Sequence, residues 1–196
     1  IDLLTTTETY YYREFSHVEL FLDQVKVLRH KVRVLCAPCA SGEEPYSLLI
    51  AMLEQDMDLY NIEIYGIDIN TDEIDKAKKG IFPLRRLHKL PQSLRQKYFH
   101  PLSDEKYEVL PELQKHIHFK QMNLFDPFPD DFSDFDVIFS RHLLIYFYTK
   151  AQERAEKIFY EKLRNGGTLF LGHADHIPDA CDFERIIDNR ISFYKK

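Results

Sequence analysis

Short continuous apolar runs alternate along this chain with stretches whose apolar residues recur at helical spacing. "VRVLCA" (32–37) is β-branched and apolar and predicts a buried strand. "GEEPYSLLIAMLEQDM" follows as a helix with two acids in its first turn, where the helix dipole favours negative charge, and with Pro45 where N–H groups lack partners anyway. "IEIYGIDI" (62–69) reads as a second strand with Asp68 at its end, and "NTDEIDKAKKG" as a helix with a capping Asn70, early acids, late lysines and a closing Gly80. Further strands are predicted at "HIHFKQMNL" (116–124), "FDVIFSR" (135–141) and "TLFLGH" (168–173). "TKAQERAEKIFYEKLRNGG" (149–167) predicts a helix stopped by Asn-Gly-Gly, and "FERIIDNRISFYKK" (183–196) a hairpin turning at Asp188-Asn189.

This alternation implies an α/β fold with a mostly parallel, doubly wound sheet, right-handed crossovers and a C-terminal antiparallel hairpin. Ligands in such sheets bind beyond the carboxyl ends of the strands, so residues just after 37, 67, 122 and 139 are expected to line one crevice.

With 196 residues the chain suits one domain, with residues of about 80–115 as a small inserted segment. It starts without Met, so a trimmed chain with a missing upstream domain is expected. No apolar run approaches membrane-spanning length and no signal peptide is visible, which argues against membrane insertion. Three cysteines make no disulfide framework, which favours a cytoplasmic setting. The formal charge of −6 argues against a general nucleic-acid binder. That average hides residues 76–100, which hold eight Lys/Arg and no acid. They are either a solvated face or a surface complementary to an acidic partner.

The turn "CAPCASGEEP" (36–45) allows three readings. As a dithiol, Cys36 and Cys39 would lie beside two carboxylates that raise a thiol pKa, the wrong direction for reactivity. Further zinc ligands at suitable spacing are absent, so small buried residues are the better reading, and no metal site is expected. A phosphate loop is excluded by a single glycine and by carboxylates where a phosphate would sit. A cradle for a positively charged ligand remains: one carboxylate for an ammonium, and a second, Asp68, for ribose hydroxyls at a spacing close to that of dinucleotide folds. S-adenosylmethionine fits that description. Glu43 and Glu44 can equally be acids that merely start a helix, and for Glu43 that is the favoured reading.

"SGEEPYS", "IYGIDIN", "MNLFDPF", "FDVIFSRHLLIYF" and "LFLGHAD", with "TTTETYYYRE" and "KAKKGIFPLRRL", resemble the chemotaxis receptor glutamate methyltransferase (CheR) family, in order and over almost the whole chain. The resemblance implies a Rossmann-like methyltransferase domain, usually preceded by a small helical domain. It also implies methyl transfer from S-adenosylmethionine to glutamate side chains of chemoreceptors, leaving glutamate methyl esters and S-adenosylhomocysteine. Carried over residue by residue, cofactor contacts fall on Thr7, Thr9, Arg13, Glu44, Asp68, Asn123, Leu124, His142 and Leu143, and the substrate-side arginine and tyrosine on Arg13 and Tyr146. The partner implied is the cytoplasmic domain of a chemoreceptor, with stretch 76–100 as a candidate docking surface. Thr7 and His142 stand where the family usually has Asn, Tyr11 and Tyr12 where it has Phe, and "GHAD" where it has Gly-His-Ser-Glu. On the residues alone, Arg13 can instead pair with Glu14 or Glu19, and Tyr146 can be a core aromatic. A methyltransferase for another carboxylate, or a binding module for S-adenosylmethionine or S-adenosylhomocysteine without turnover, are the competing functions.

Overall fold

The computed structural model describes residues 9–177, 182–188 and 191–196. Helix α1 (Phe15–Val25) leads to strand β1 (Val32–Cys36), helix α2 (Glu43–Leu53), strand β2 (Ile62–Asp68) and helix α3 (Thr71–Lys79). Strand β3 (Ile81–Pro83), helix α4 (Gln92–Tyr98), strands β4 (Phe99–Ser103) and β5 (Lys106–Val109), and helix α5 (Pro111–Gln114) follow. Strands β6 (Ile117–Gln121) and β7 (Phe135–Ser140), helix α6 (Thr149–Lys162), strand β8 (Leu163–Leu171) and the hairpin β9 (Glu184–Asp188) and β10 (Ile191–Lys195) complete the chain.

Seven strands form one sheet in the order β6-β2-β1-β7-β8-β10-β9. The first five run parallel, while β10 pairs antiparallel with β8 and with β9. Alternating side chains split the core in two. Val34, Cys36, Val137 and Phe139 face a cluster with Phe21 of α1, Leu48 of α2 and Ile74 of α3, and Leu35 and Ile138 face a second with Ala155 and Phe159 of α6. This is the doubly wound arrangement that continuous apolar strands demand, since both faces must be covered. Aromatic contacts tie the layers: Phe139 stacks on Phe170 at 4.9 Å, and Phe21 meets the edge of Phe139 at 5.5 Å. No helix of the described residues is long and apolar enough to cross a membrane.

The β1–α3 stretch follows its predicted punctuation. The Asn70 side chain accepts from the Asp72 and Glu73 N–H groups, and Gly80 closes α3 in the left-handed conformation. Gly42 also has a left-handed φ of 94°, and a Cβ there would come within 3.0 Å of the Ala77 Cβ, so the turn needs a glycine for conformation and for space.

Elsewhere the structure differs from the reading of the sequence. Helix α6 stops at Lys162, before Asn-Gly-Gly, and Leu163–Gly167 already belong to β8. The register between β7 and β8 shifts between Phe135 and Val137, which absorbs the glycines as an irregularity of the strand. Strand β6 ends at Gln121, leaving Met122–Leu124 as loop. Residues 81–109 carry a separate antiparallel sheet, β3-β5-β4. Asn189, in the predicted hairpin turn, lies outside the described residues, as does Thr7.

Candidate active site

The strand ends converge as a parallel sheet requires. The Cys39 N–H donates to the Ile67 carbonyl, Ala37 N–H to Phe139, and Met122 N–H to Asp68, so the loops after β1, β2, β6 and β7 are joined at one edge. Asp68 accepts from the Ala40 N–H at 2.9 Å and the Asn70 N–H at 2.9 Å. It therefore shapes the turn at 40 as well as facing the crevice. Burial pushes its carboxyl up from the ordinary value, against the pull of these donors.

Glu44, in the first turn of α2, reaches the end of β7. Its Oε2 accepts from Arg141 Nε at 3.0 Å, while its Oε1 is buried with no hydrogen-bond partner. Burial raises the Glu44 carboxyl although Arg141 opposes the shift. Arg141 also donates to the Arg13 carbonyl at 2.8 Å and lies 3.5 Å from Glu14, so it ties α2, the β7 end and the segment before α1 together. The sequence reading overlooked Arg141, although it stands inside "SRHLLIYF" next to the predicted His142.

Glu43 is not an exposed helix-start acid. It is buried, accepts from the Ser41 hydroxyl at 2.8 Å and lies 3.6 Å from Arg86 Nε. Arg86 in turn donates to the Thr9 carbonyl and accepts from the Tyr11 N–H, so this part of the basic stretch fixes the N-terminal segment rather than facing solvent. Lys97 is likewise paired, with Glu54 at 2.7 Å. Lys78, Lys79, Arg85 and Lys89 are exposed.

The remaining predicted residues flank the same edge. Asn123 uses its side-chain oxygen to accept from the Phe125 N–H, and Leu124 is buried in the α6-side core. His142 sits after β7 with a left-handed φ of 59°, and the half-buried Leu143 packs against the α6-side core. Tyr146 ends a short 3-10 turn and is 43% exposed, so it is no core aromatic. Arg13 lies over the Tyr10 ring at 5.8 Å, immediately before Glu14. Asp175, of "GHAD", is buried and accepts from the backbone N–H groups of His142, Ile145 and Gly172. Cys36 and Cys39 are buried free thiols, and burial pushes both pKa values well up, aided by Glu44 at Cys36 and by Asp68 at Cys39. That removes them from thiolate chemistry.

A cavity of about 750 Å³ adjoins this edge, lined in part by Glu14, His17, His173, Asp175, Phe183 and Tyr194. Burial pushes the Glu14 carboxyl up, but His142, His173 and Arg141 outweigh it and hold Glu14 well below the usual carboxylate range.

Comparison with known proteins agrees with this geometry. Residues 7–193 match the family described as CheR methyltransferase, SAM binding domain. The chain is 39% identical over 184 residues to chemotaxis protein methyltransferase 2 of Vibrio cholerae, covering 89% of this chain and 64% of that protein. It is 34% identical over 196 residues to a chemotaxis protein methyltransferase of Campylobacter jejuni, covering 100% of this chain and 74% of that one. Among solved structures, the [4+2]-cyclase SpnF superposes with a TM-score of 0.50 at 17% identity, over 85% of this chain and 50% of that one. The structural likeness speaks for the fold, while the sequence matches speak for the family. The chain belongs to the CheR methyltransferase family and is an S-adenosylmethionine-binding methyltransferase domain of it.

Proposed function

We propose that this protein transfers the methyl group of S-adenosylmethionine to glutamate side chains in the cytoplasmic part of a chemoreceptor. The observation that carries the reading is the buried, unpartnered Glu44 Oε1 at the strand edge that also holds Asp68. A buried acceptor without a donor is costly, and a ligand ammonium would remove the cost. Asp68 has two acceptor positions committed to backbone N–H groups. A carboxylate offers about four, so capacity remains for a ribose hydroxyl. Thr9, Asn123, Leu124, His142 and Leu143 complete the proposed cofactor wall, with Thr7 preceding them.

The cofactor supplies a methyl group on a positively charged sulfur. A glutamate carboxylate is already ionised at neutral pH, with a reference pKa of about 4.3, so attack needs no general base. That carboxylate's oxygen would gain the C–O bond to the methyl group of a cofactor held beside Glu44 and Asp68, as the C–S pair returned to sulfur, giving a methyl ester and a neutral thioether. The protein's task is to hold the carboxylate in line at near-attack distance and to exclude water while opposite charges cancel. In this reading Arg13 and the exposed Tyr146 orient the acceptor, by paired N–H donors and by one O–H. Residues 80–115 act as an inserted unit beside this domain. A docking role for the basic stretch rests on Lys78, Lys79, Arg85 and Lys89, exposed cations away from Glu43, Glu54 and Glu73.

Incubation with methyl-labelled S-adenosylmethionine and receptor-containing membranes tests the proposal. Base-labile label on the receptor is expected. Cofactor binding without label on any receptor would overturn it.

A further inference from the structure

We infer that Glu14, His142 and His173 form a binding site for a divalent transition-metal ion of the zinc class. Their ligand atoms all lie within 4.8 Å of one another. Glu14 Oε1 is 3.1 Å from His142 Nε2 and 2.8 Å from His173 Nδ1. An ion about 2.1 Å from each donor sets tetrahedral ligands about 3.4 Å apart. The two measured separations open by a few tenths of an ångström to reach that value. The imidazoles approach each other by a small turn of His173, whose side chain is 74% exposed.

A second observation points to a ligand. His142 Nε2 is buried without a hydrogen-bond partner although it points at Glu14. His17 Nδ1 is in the same state and lies 3.6 Å from the other oxygen of Glu14. Three ring nitrogens thus converge on one carboxylate, at 2.8, 3.1 and 3.6 Å. The carboxylate is already shared in the sense a metal requires: Oε2 faces Arg141 and His17, and Oε1 faces His142 and His173. Arg141 is a nearby like charge, but its Nε is engaged by Glu44 at 3.0 Å, which offsets part of the repulsion. Imidazole and carboxylate ligands suit zinc, cobalt, nickel and copper rather than magnesium or calcium. His142 stands where the family resemblance places Asn and also belongs to the proposed cofactor wall, so metal binding is read in the absence of the cofactor. A bound ion would join the segment before α1 to the loops after β7 and β8, along one wall of the 750 Å³ cavity.

Titration of the untagged protein with Co²⁺, followed by its visible absorption, tests this, with Zn²⁺ competition and thermal unfolding alongside. One saturable site per chain is expected at micromolar metal, without a sulfur-to-cobalt charge-transfer band. Asn at 142 and Gln at 173 (His142→Asn, His173→Gln) should each weaken binding by at least about tenfold. Zn²⁺ should raise the melting temperature of the parent and not of the double variant, because only a folded-state ligand stabilises. Absence of saturable binding, a thiolate band, or unchanged affinity in the folded double variant would each overturn the assignment. Should a variant fail to fold, hyperfine-shifted imidazole N–H signals from at least two rings in the Co²⁺-loaded parent decide for the site, and their absence decides against it.

Discussion

The two ends of the parallel strands both carry charge clusters, and they treat it in opposite ways. At the amino ends, Asp136 accepts from the Arg33 N–H at 2.8 Å and lies 2.7 Å from His30 Nε2 and 3.1 Å from Arg164 Nη1. Glu63 beside it pairs with Lys31 at 3.0 Å and Arg33 at 2.8 Å and accepts from the Tyr65 hydroxyl. There only Arg33 Nε is buried without a partner, among the described residues. At the carboxyl ends, His17 Nδ1, Glu44 Oε1, Ser140 Oγ and His142 Nε2 all lack one. A satisfied polar cluster holds the fold, whereas an unsatisfied one keeps a standing cost that a ligand can relieve. The two ends of the sheet thus differ in how completely their buried polar atoms are partnered.

The largest effect that would test this contrast is at the amino ends. Asp136→Ala should lower stability by about 3 kcal/mol, since it strands a backbone N–H, the Arg164 guanidinium and the His30 ring nitrogen. Urea unfolding reads that loss, and titration with S-adenosylhomocysteine should show unchanged affinity. Glu44→Gln should do the reverse, costing about 2 kcal/mol of S-adenosylhomocysteine binding through loss of a charge-assisted hydrogen bond. Its unfolding midpoint should fall by less than that of Asp136→Ala, because the amide oxygen can still accept from Arg141 Nε and Glu14 still faces the guanidinium. If Glu44→Gln destabilises as much as Asp136→Ala, the two ends do not differ in kind. Asp68→Asn should weaken the same binding by about 1 kcal/mol, less than Glu44→Gln, because both of its oxygens also serve the local backbone.

A pH measurement sharpens the comparison at His17, whose pKa burial lowers to about 4 against an ordinary 6.5. Between those values the unfolded chain holds a proton that the folded chain refuses, so folding stability falls as pH drops from 6.5 towards 4. The slope contributed is at most about 1.4 kcal/mol per pH unit. His17→Gln should remove that part of the acid sensitivity in paired urea titrations, and an unchanged slope would assign it to other groups. The smallest effect is expected at Arg85, an exposed cation. Arg85→Glu should leave stability within about 0.5 kcal/mol and slow receptor methylation only at low salt, where long-range attraction is unscreened. Arg86→Glu should instead destabilise, since it sets two acids against each other at the buried Glu43.

That split within one basic run shows what could be read from the chain. The β1–α2–β2–α3 unit was legible because its signals are local: an apolar run, first-turn acids, the Asn70 cap and the Gly80 stop all act within a few residues. The placement of Asp68 and Glu44 at one edge was legible on a different ground, since a parallel sheet must bring its carboxyl ends together. Glu43 was not, because its burial depends on Arg86, which arrives from beyond α3. Arg141 escaped notice because its role is relational, set by two acids on separate elements. The α6 boundary was misplaced because Asn-Gly-Gly stops helices in general, while here pairing with β7 draws Leu163 into the sheet first. The β3-β5-β4 sheet has strands of three to five residues, too short for an alternation to show.

Asp175 has a mechanical consequence. One carboxylate grips the N–H groups of Gly172 after β8 and of His142 and Ile145 after β7. Those two loops are therefore pinned to one another through a single side chain, with Tyr146 next to Ile145 at the end of the short 3-10 turn. A change at Asp175 is therefore expected to disturb both loops together rather than either one alone.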